Sequence, residues 1–468
     1  MKSINQQYSL VPFDGGTLIV DKDEKDYGKN TGILFLNESG TDVLKMLLSG
    51  KSVNEIVLFL SQADMNGHSQ EAIKESVCDI LNQLESRGVF EGTNTKAKCN
   101  PLEKVGFGPI KGRLTIKRQP LVGVIEITPI CNCNCPHCYV KGFTPQGWLK
   151  TEQFKEIASI FRDKGVVNVT LTGGEPLSHP DFKEIYLAYK EKGFLIDIFT
   201  NGLLIDEDLA QFLSKNPPRS LDITLYGTSN EEYYDFTGVR NGYYLLIQAL
   251  DLLKKYGVYF TTKTILTKQN YNNLTKFNQI ALEYNAPFRY NVVLGRGNNT
   301  IKDPEEIALT PQQVIDIEKK DPLRRVFFNT INDFCTNLPY DFNKEQCPQY
   351  LCGAGLDKVF IGYNGIMSPC MTLRGKGLDL FKYGFDYVWH YWGEQRKKHL
   401  SRSFKCLDCE FLSICTPCTE EFEQIEGDKE KPIQSRCDLA ELRWKEFIDF
   451  TNKQNERVAK IKRTGSNN

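Results

Sequence analysis

Between residues 121 and 300 the chain alternates two kinds of pattern. Runs rich in β-branched and aromatic residues, "VGVIEIT", "VVNVTLT", "FLIDIFT", "SLDITLY", "YFTTKTILT" and "FRYNVVL", are parted by helical patterns such as "TEQFKEIASIFRDKG" and "GYYLLIQALDLLKKYG". In the first of these helices Phe154, Ile157, Ala158 and Phe161 fall on one face, with Thr151 as the expected N-cap. Six such β–α units in succession predict an α/β fold: a parallel sheet with helices outside, curled into an open or closed barrel. In such folds the chemistry gathers at the carboxyl ends of the strands.

The stretch after the first strand is "CNCNCPHCYV", with Cys131, Cys133, Cys135 and Cys138 in eight positions. Its place in the fold puts it at that rim. The start "MKSINQQYSL" is polar, with no charged segment followed by an apolar one, and no apolar run is long enough to span a bilayer. A cytoplasmic protein is therefore expected, and in that compartment 15 cysteines are poor candidates for disulfides. Clustered thiols there read as metal or iron–sulfur ligands. A net charge of -1 gives no general pull toward nucleic acid or anionic membrane, and neither partner is expected. Cys131, Cys135 and Cys138 are spaced to ligate three irons of a cubane and leave the fourth open to a small molecule.

That spacing after a first barrel strand resembles the radical S-adenosylmethionine (radical SAM) enzymes. The resemblance implies a partial (β/α)6 barrel and a [4Fe–4S] cluster on Cys131, Cys135 and Cys138. The open iron would bind SAM and cleave it to a 5'-deoxyadenosyl radical. His137 and Tyr139 fall where the family carries its aromatic contact. By the same resemblance Gly173, Gly174, Glu175 and Pro176 match the stretch that receives the SAM ammonium group, Thr224 the ribose-contacting hydroxyl, and Lys263 the group expected to reach the SAM carboxylate. Cys133 is surplus to the ligand set and is read as packing, since a free cysteine behaves as a small hydrophobe.

Residues 347 to 437 carry a second set: Cys347, Cys352, Cys370, Cys406, Cys409, Cys415, Cys418 and Cys437. The periodicity there is weak, so bound metal is expected to organise it. The pattern resembles the SPASM extension of peptide-modifying radical SAM enzymes, which holds two auxiliary [4Fe–4S] clusters. By that resemblance Cys352, Cys370 and Cys418, with Cys347, bind the first, and Cys406, Cys409, Cys415 and Cys437 the second. Only Thr416 and Pro417 stand between Cys415 and Cys418, and "CGAG" opens at Cys352, both as in enzymes that install sactipeptide thioethers. Sulfatase-maturating relatives carry a carboxylate base where this chain has Met371. Cys78, Cys99 and Cys335 match no motif, and Cys335 competes with Cys347 for the fourth place.

Residues 1–92 read as three strands followed by three helices, a winged-helix-like module. It carries 8 Lys+Arg against 14 Asp+Glu, the wrong sign for gripping phosphates. It resembles the PqqD-like precursor-recognition domain of peptide maturases, where a leader peptide adds as a strand. A linker (93–120), the barrel (121–300), a bridging region (301–346), the SPASM stretch (347–440) and a C-terminal helix with a disordered tail (441–468) complete the expected division. The whole reads as a maturase of a ribosomally made peptide forming a cysteine-to-carbon thioether, with a reductant such as flavodoxin or ferredoxin. The alternatives are a SPASM dehydrogenase or carbon–carbon crosslinking enzyme, and a zinc-stabilised binding scaffold.

Overall fold

A computed structural model describes residues 2–13, 16–21, 33–63, 69–92, 118–138, 140, 147–295, 304–321, 324, 327–328, 348–415 and 417–449. Tyr139, Cys99, Cys335 and Cys347 lie outside the described residues, as do most of the expected linker, most of the bridging region and the tail.

The N-terminal module forms as its patterns require. Strands β1 (Tyr8–Phe13), β2 (Gly16–Asp21) and β3 (Ile33–Asn37) make an antiparallel sheet in that order. Helices α1 (Glu38–Leu48), α2 (Val53–Ala63) and α3 (Gln70–Ser86) follow. Asn37 and Ser69 cap α1 and α3 with their side chains, satisfying backbone N–H groups that a helix start leaves open. One face of the sheet, with Ile19 and Leu36, packs on Val43, Leu44, Leu47, Ile56, Val77 and Leu84. On α2, Leu58 and Phe59 are exposed rather than packed on this core. The other face, through Val11, Leu18 and Val20, packs on Leu121, Val167 and Leu195. Those three residues stand at the amino ends of barrel strands, so the module covers the base of the barrel.

Strands β4 (Val122–Glu126), β5 (Asn168–Thr172), β6 (Leu195–Thr200), β7 (Ser220–Thr224), β8 (Thr261–Ile265) and β9 (Phe288–Asn291) pair in parallel, each beside the next in sequence. Strand alternation divides their side chains between two faces. Ile125, Val169, Leu171, Ile196, Ile198, Leu221 and Ile223 face the helices and form the core with Phe154, Ile157, Phe161, Tyr186 and Leu250. The helix Thr151–Asp163 begins one residue past its cap, which is Lys150 rather than Thr151. The Gln153 side chain accepts the Lys150 N–H at 3.0 Å, while the Thr151 hydroxyl turns to Asp181 at 2.5 Å.

The cysteine-rich stretch contributes more regular structure than its periodicity predicts. Strand β10 (Lys358–Ile361) pairs parallel with β4, and β11 (Ile366–Ser368) and β12 (Leu378–Asp379) follow antiparallel. One sheet of nine strands, β12-β11-β10-β4-β5-β6-β7-β8-β9, therefore crosses the boundary drawn at residue 347. Its two ends, β9 and β12, are not paired, so the barrel is open. Arg118, at the end of the expected linker, is anchored too: its guanidinium stacks on Trp389 at 4.0 Å and donates to the Gly355 carbonyl.

The C-terminal helix Gln434–Arg443 packs on the helix Pro311–Glu318 through a bidentate pair. Arg443 donates to both oxygens of Glu318, at 2.9 and 2.6 Å, and Glu318 is fully buried. Removing only the cation leaves a buried carboxylate without its partner, at a cost of about 3–5 kcal/mol. Arg443→Met should therefore lower the melting temperature clearly, and the double variant Glu318→Met/Arg443→Met should recover most of the loss. Equal melting of the single variant and the native chain would refute this account.

Candidate active site

The four-cysteine loop leaves β4 at its carboxyl end and is fixed there by backbone. The Ile127 N–H donates to the Thr172 carbonyl, Gly174 N–H to Thr128 O at 2.8 Å and Glu175 N–H to Ile130 O at 2.7 Å. The approach is too close for any side chain. A Cβ on Gly173 would stand 2.3 Å from Thr128 O, and one on Gly174 2.3 Å from Ile130 O. Gly173 also holds φ +147, open chiefly to glycine. The two glycines thus clamp the cysteine loop against the loop after β5.

Glu175 continues the clamp. Its carboxylate accepts from the Thr200 hydroxyl at 2.6 Å, the Asn201 N–H at 2.7 Å and the Leu177 N–H at 3.1 Å. It is 1% exposed, and burial pushes its pKa up to about 7 against the pull of those hydrogen bonds, with Cys131 adding to the rise. Pro176, also buried, starts the short 3-10 turn Pro176–Ser178 that Glu175 caps.

Within the loop Cys133 and Cys135 are buried and Cys131 and Cys138 half-buried. The Cys133 thiol lies between Cys131 and Cys135, and hydrogen bonding to both, with burial, pushes its pKa far up. His137 is half-buried, its ring 5.4 Å from Phe236 and 6.2 Å from Tyr226. Burial lowers its pKa to about 4, which makes the ring neutral near pH 7. Its Nδ1 meets no hydrogen-bond partner among the described residues.

The inner face of the open barrel is polar. Period two places Glu126, Thr170, Thr172, Asp197, Asp222, Thr224, Thr261 and Lys263 on it, opposite the helix-facing core. Thr224 and Lys263 are register partners on β7 and β8. The Lys263 ammonium lies 3.3 Å from the Phe199 ring centroid, and burial pushes its pKa down to about 8. The acids of this wall are matched: Asp197 with Arg219, Asp222 with Arg289 at 2.8 Å, and Glu126 with Arg374. Glu126 ends β4 and Arg374 lies four residues past Cys370, so that last pair ties the cysteine-rich stretch to the barrel mouth. Sequence reading passed over these residues and Asn201. Asp197 and Asp222 carried a signal, a charge at alternate positions of otherwise apolar strands.

The later cysteines fall into two groups. Burial pushes the Cys418 thiol up to about 12, with the nearby Cys370 and Cys352 adding to the rise, and burial together with Cys352 raises Cys370. Burial raises Cys415 to about 11, with Cys437 and Cys409 adding to the rise, and burial together with Cys409 raises Cys437. Cys406 is buried on the 3-10 turn Lys405–Asp408, and the Cys409 N–H donates to its carbonyl. Among the described residues no three Cys, His, Asp or Glu side chains converge on one metal ion. Soft thiolates spread over a loop suit a cluster that distributes its ligands over several irons.

Residues 125–283 match the model of the Radical SAM superfamily. Over 343 residues the chain is 25% identical to the antilisterial bacteriocin subtilosin biosynthesis protein AlbA of Bacillus subtilis (strain 168), covering 72% of each chain. It is 23% identical over 334 residues to an AdoMet-dependent heme synthase of Methanosarcina barkeri (strain Fusaro / DSM 804), covering 67% of this chain and 95% of that one. The solved structure of Streptococcus suis SuiB bound to precursor peptide SuiA has the same fold, with a TM-score of 0.66 at 19% identity over 93% of this chain and 100% of that one. With the cysteine loop seated at the carboxyl end of the first of six parallel strands, the chain carries a radical SAM domain over residues 125–283.

Proposed function

We propose that this chain is a radical SAM maturase of a ribosomally made peptide and that its product is a thioether between a substrate cysteine and a carbon. The observation that carries the reading is the clamped cysteine loop seated at the carboxyl ends of the strands, above a polar and largely buried inner wall. Such a wall suits a polar substrate, and the likeness to a subtilosin biosynthesis protein and to the fold of SuiB points to a peptide. When bound, SAM and the [4Fe–4S] cluster supply a 5'-deoxyadenosyl radical that can take hydrogen from an unactivated C–H bond.

The chain's own residues supply the rest. Cys131, Cys135 and Cys138 hold the cluster, and Cys133 packs behind it. The Gly173–Gly174 backbone and Glu175 fix the loop that faces SAM, His137 and Tyr139 line its base, Thr224 meets the ribose and Lys263 the carboxylate. Cys352, Cys370 and Cys418, with Cys347, hold one auxiliary cluster; Cys406, Cys409, Cys415 and Cys437 hold the other. The nearness of Cys352 and Cys370 to Cys418, and of Cys409 and Cys437 to Cys415, supports that partition. A carbon radical that joins a thiolate sulfur must lose one electron, and the auxiliary cluster that Cys352, Cys370 and Cys418, with Cys347, would hold would supply an acceptor for it. Met371, in place of a carboxylate, leaves simple dehydrogenation without its base. A reductant such as flavodoxin or ferredoxin delivers electrons. No helix among the described residues is long and apolar enough to cross a membrane.

Three outcomes test this. Alanine at Cys131, Cys135 or Cys138 should abolish SAM cleavage, whereas Cys133→Ala should keep a full complement of iron; severe iron loss in Cys133→Ala would show that it is a ligand. Deleting residues 1–92 should weaken leader-peptide binding in a titration while reductant-driven SAM cleavage persists, despite some loss of stability from uncovering Leu121, Val167 and Leu195. Unchanged leader affinity would remove the module from recognition. The product peptide should be lighter by two hydrogens, with its modified cysteine resistant to alkylation. Every cysteine remaining alkylatable would favour dehydrogenation or a carbon–carbon crosslink.

A further inference from the structure

Asn201 follows β6 and is 4% exposed, yet nothing in the reaction outlined above uses it. Its backbone N–H donates to Glu175 at 2.7 Å, and its side-chain oxygen accepts the Leu203 N–H at 3.0 Å. The oxygen being committed, the amide nitrogen must face the other way, into the cysteine loop. There Nδ2 donates to Asn132 Oδ1 at 2.7 Å and stands 3.5 Å from Cys133 Sγ and 3.9 Å from Cys131 Sγ. One of its two hydrogens goes to Asn132. The other points between the two sulfurs.

We propose that Asn201 is a positioning residue that donates its amide hydrogen to the Cys131 sulfur and thereby raises the reduction potential of the cluster this loop holds. The inference rests on Cys131 being an iron ligand. A hydrogen bond to a ligand sulfur strengthens as negative charge on the cluster grows, so it favours the reduced form. Glu175 contributes at one remove: fully buried and triply hydrogen-bonded, it holds the Thr200–Asn201 backbone where the amide can reach. The surplus cysteine then has a use that a hydrocarbon could not meet. The Cys133 sulfur is a weak acceptor that shares the same N–H, so the hydrogen is never buried without a partner.

The test is a redox titration of the full-length, cluster-loaded chain, following the paramagnetic signal that changes shape when SAM is added. At a fixed applied potential the ratio of reduced to oxidised cluster should fall about fivefold in Asn201→Ala, the worth of one ordinary hydrogen bond, with iron per chain unchanged. Asn201→Asp keeps the oxygen that accepts from Leu203 and sets an anion beside the sulfur, so its fall should be larger. A native midpoint potential in both variants overturns the proposal. Iron loss in both overturns it as well, since that marks a purely structural residue. If only Asn201→Ala loses iron, the potential of Asn201→Asp decides. Retention of the SAM-responsive signal in Cys131→Ala would instead refute the ligand reading beneath it.

Discussion

Two backbone carbonyls, those of Thr128 and Ile130, set the geometry of the whole upper rim. They lie so near Gly173 and Gly174 that no side chain fits between. Because the contact is backbone to backbone, it cannot relax by a change of rotamer, and any Cβ must push the two loops apart. Glu175, next in sequence, extends the constraint to the loop after β6 through Thr200 and Asn201. Three successive strand ends are thus joined by a few short hydrogen bonds, and that junction fixes the backbone that carries the thiols.

The sheet below this junction separates two environments. Its outer face is ordinary aliphatic and aromatic core. Its inner face carries acids that are nearly inaccessible, Asp222 at 2% and Asp197 at 6%, each with an arginine. Unpaired charges at such depth would be expensive, and pairing makes them tolerable rather than strongly stabilising. What the pairs secure is a rigid polar wall with fixed dipoles. Lys263 is the exception in kind, since its ammonium rests on the face of Phe199 and burial weakens its hold on its proton.

How far the sequence reveals this varies by scale. The six parallel strands and the N-terminal module were legible because each segment is long enough to display its period and ends at a turn residue. Strands β10, β11 and β12, of four, three and two residues, are too short to show any period and lie among cysteine-bearing turns. They form because β4 offers an open edge. The site's cysteines and glycines were legible as motif. Asn201 and the Glu126–Arg374 pair were not, because their roles depend on register and on contacts between segments 69 and 248 residues apart. The N-cap at Lys150 departed from the propensity-based choice since the Thr151 hydroxyl found a better partner in Asp181.

The winged-helix module occupies the pole of the barrel opposite the cysteine loop, pressed against the first residues of β4 and β6. A peptide gripped along the edge of β3 and reacting at the thiols must run the height of the barrel between the two points. Strands of five residues rise about 17 Å, so roughly five extended residues is the least that could bridge it by a straight path, and a route around the wall needs more. On the proposed reading the fold would act as a ruler: residues close behind the gripped segment would be out of reach, and the length of the intervening spacer, as much as its sequence, would decide where along the peptide the chemistry can fall.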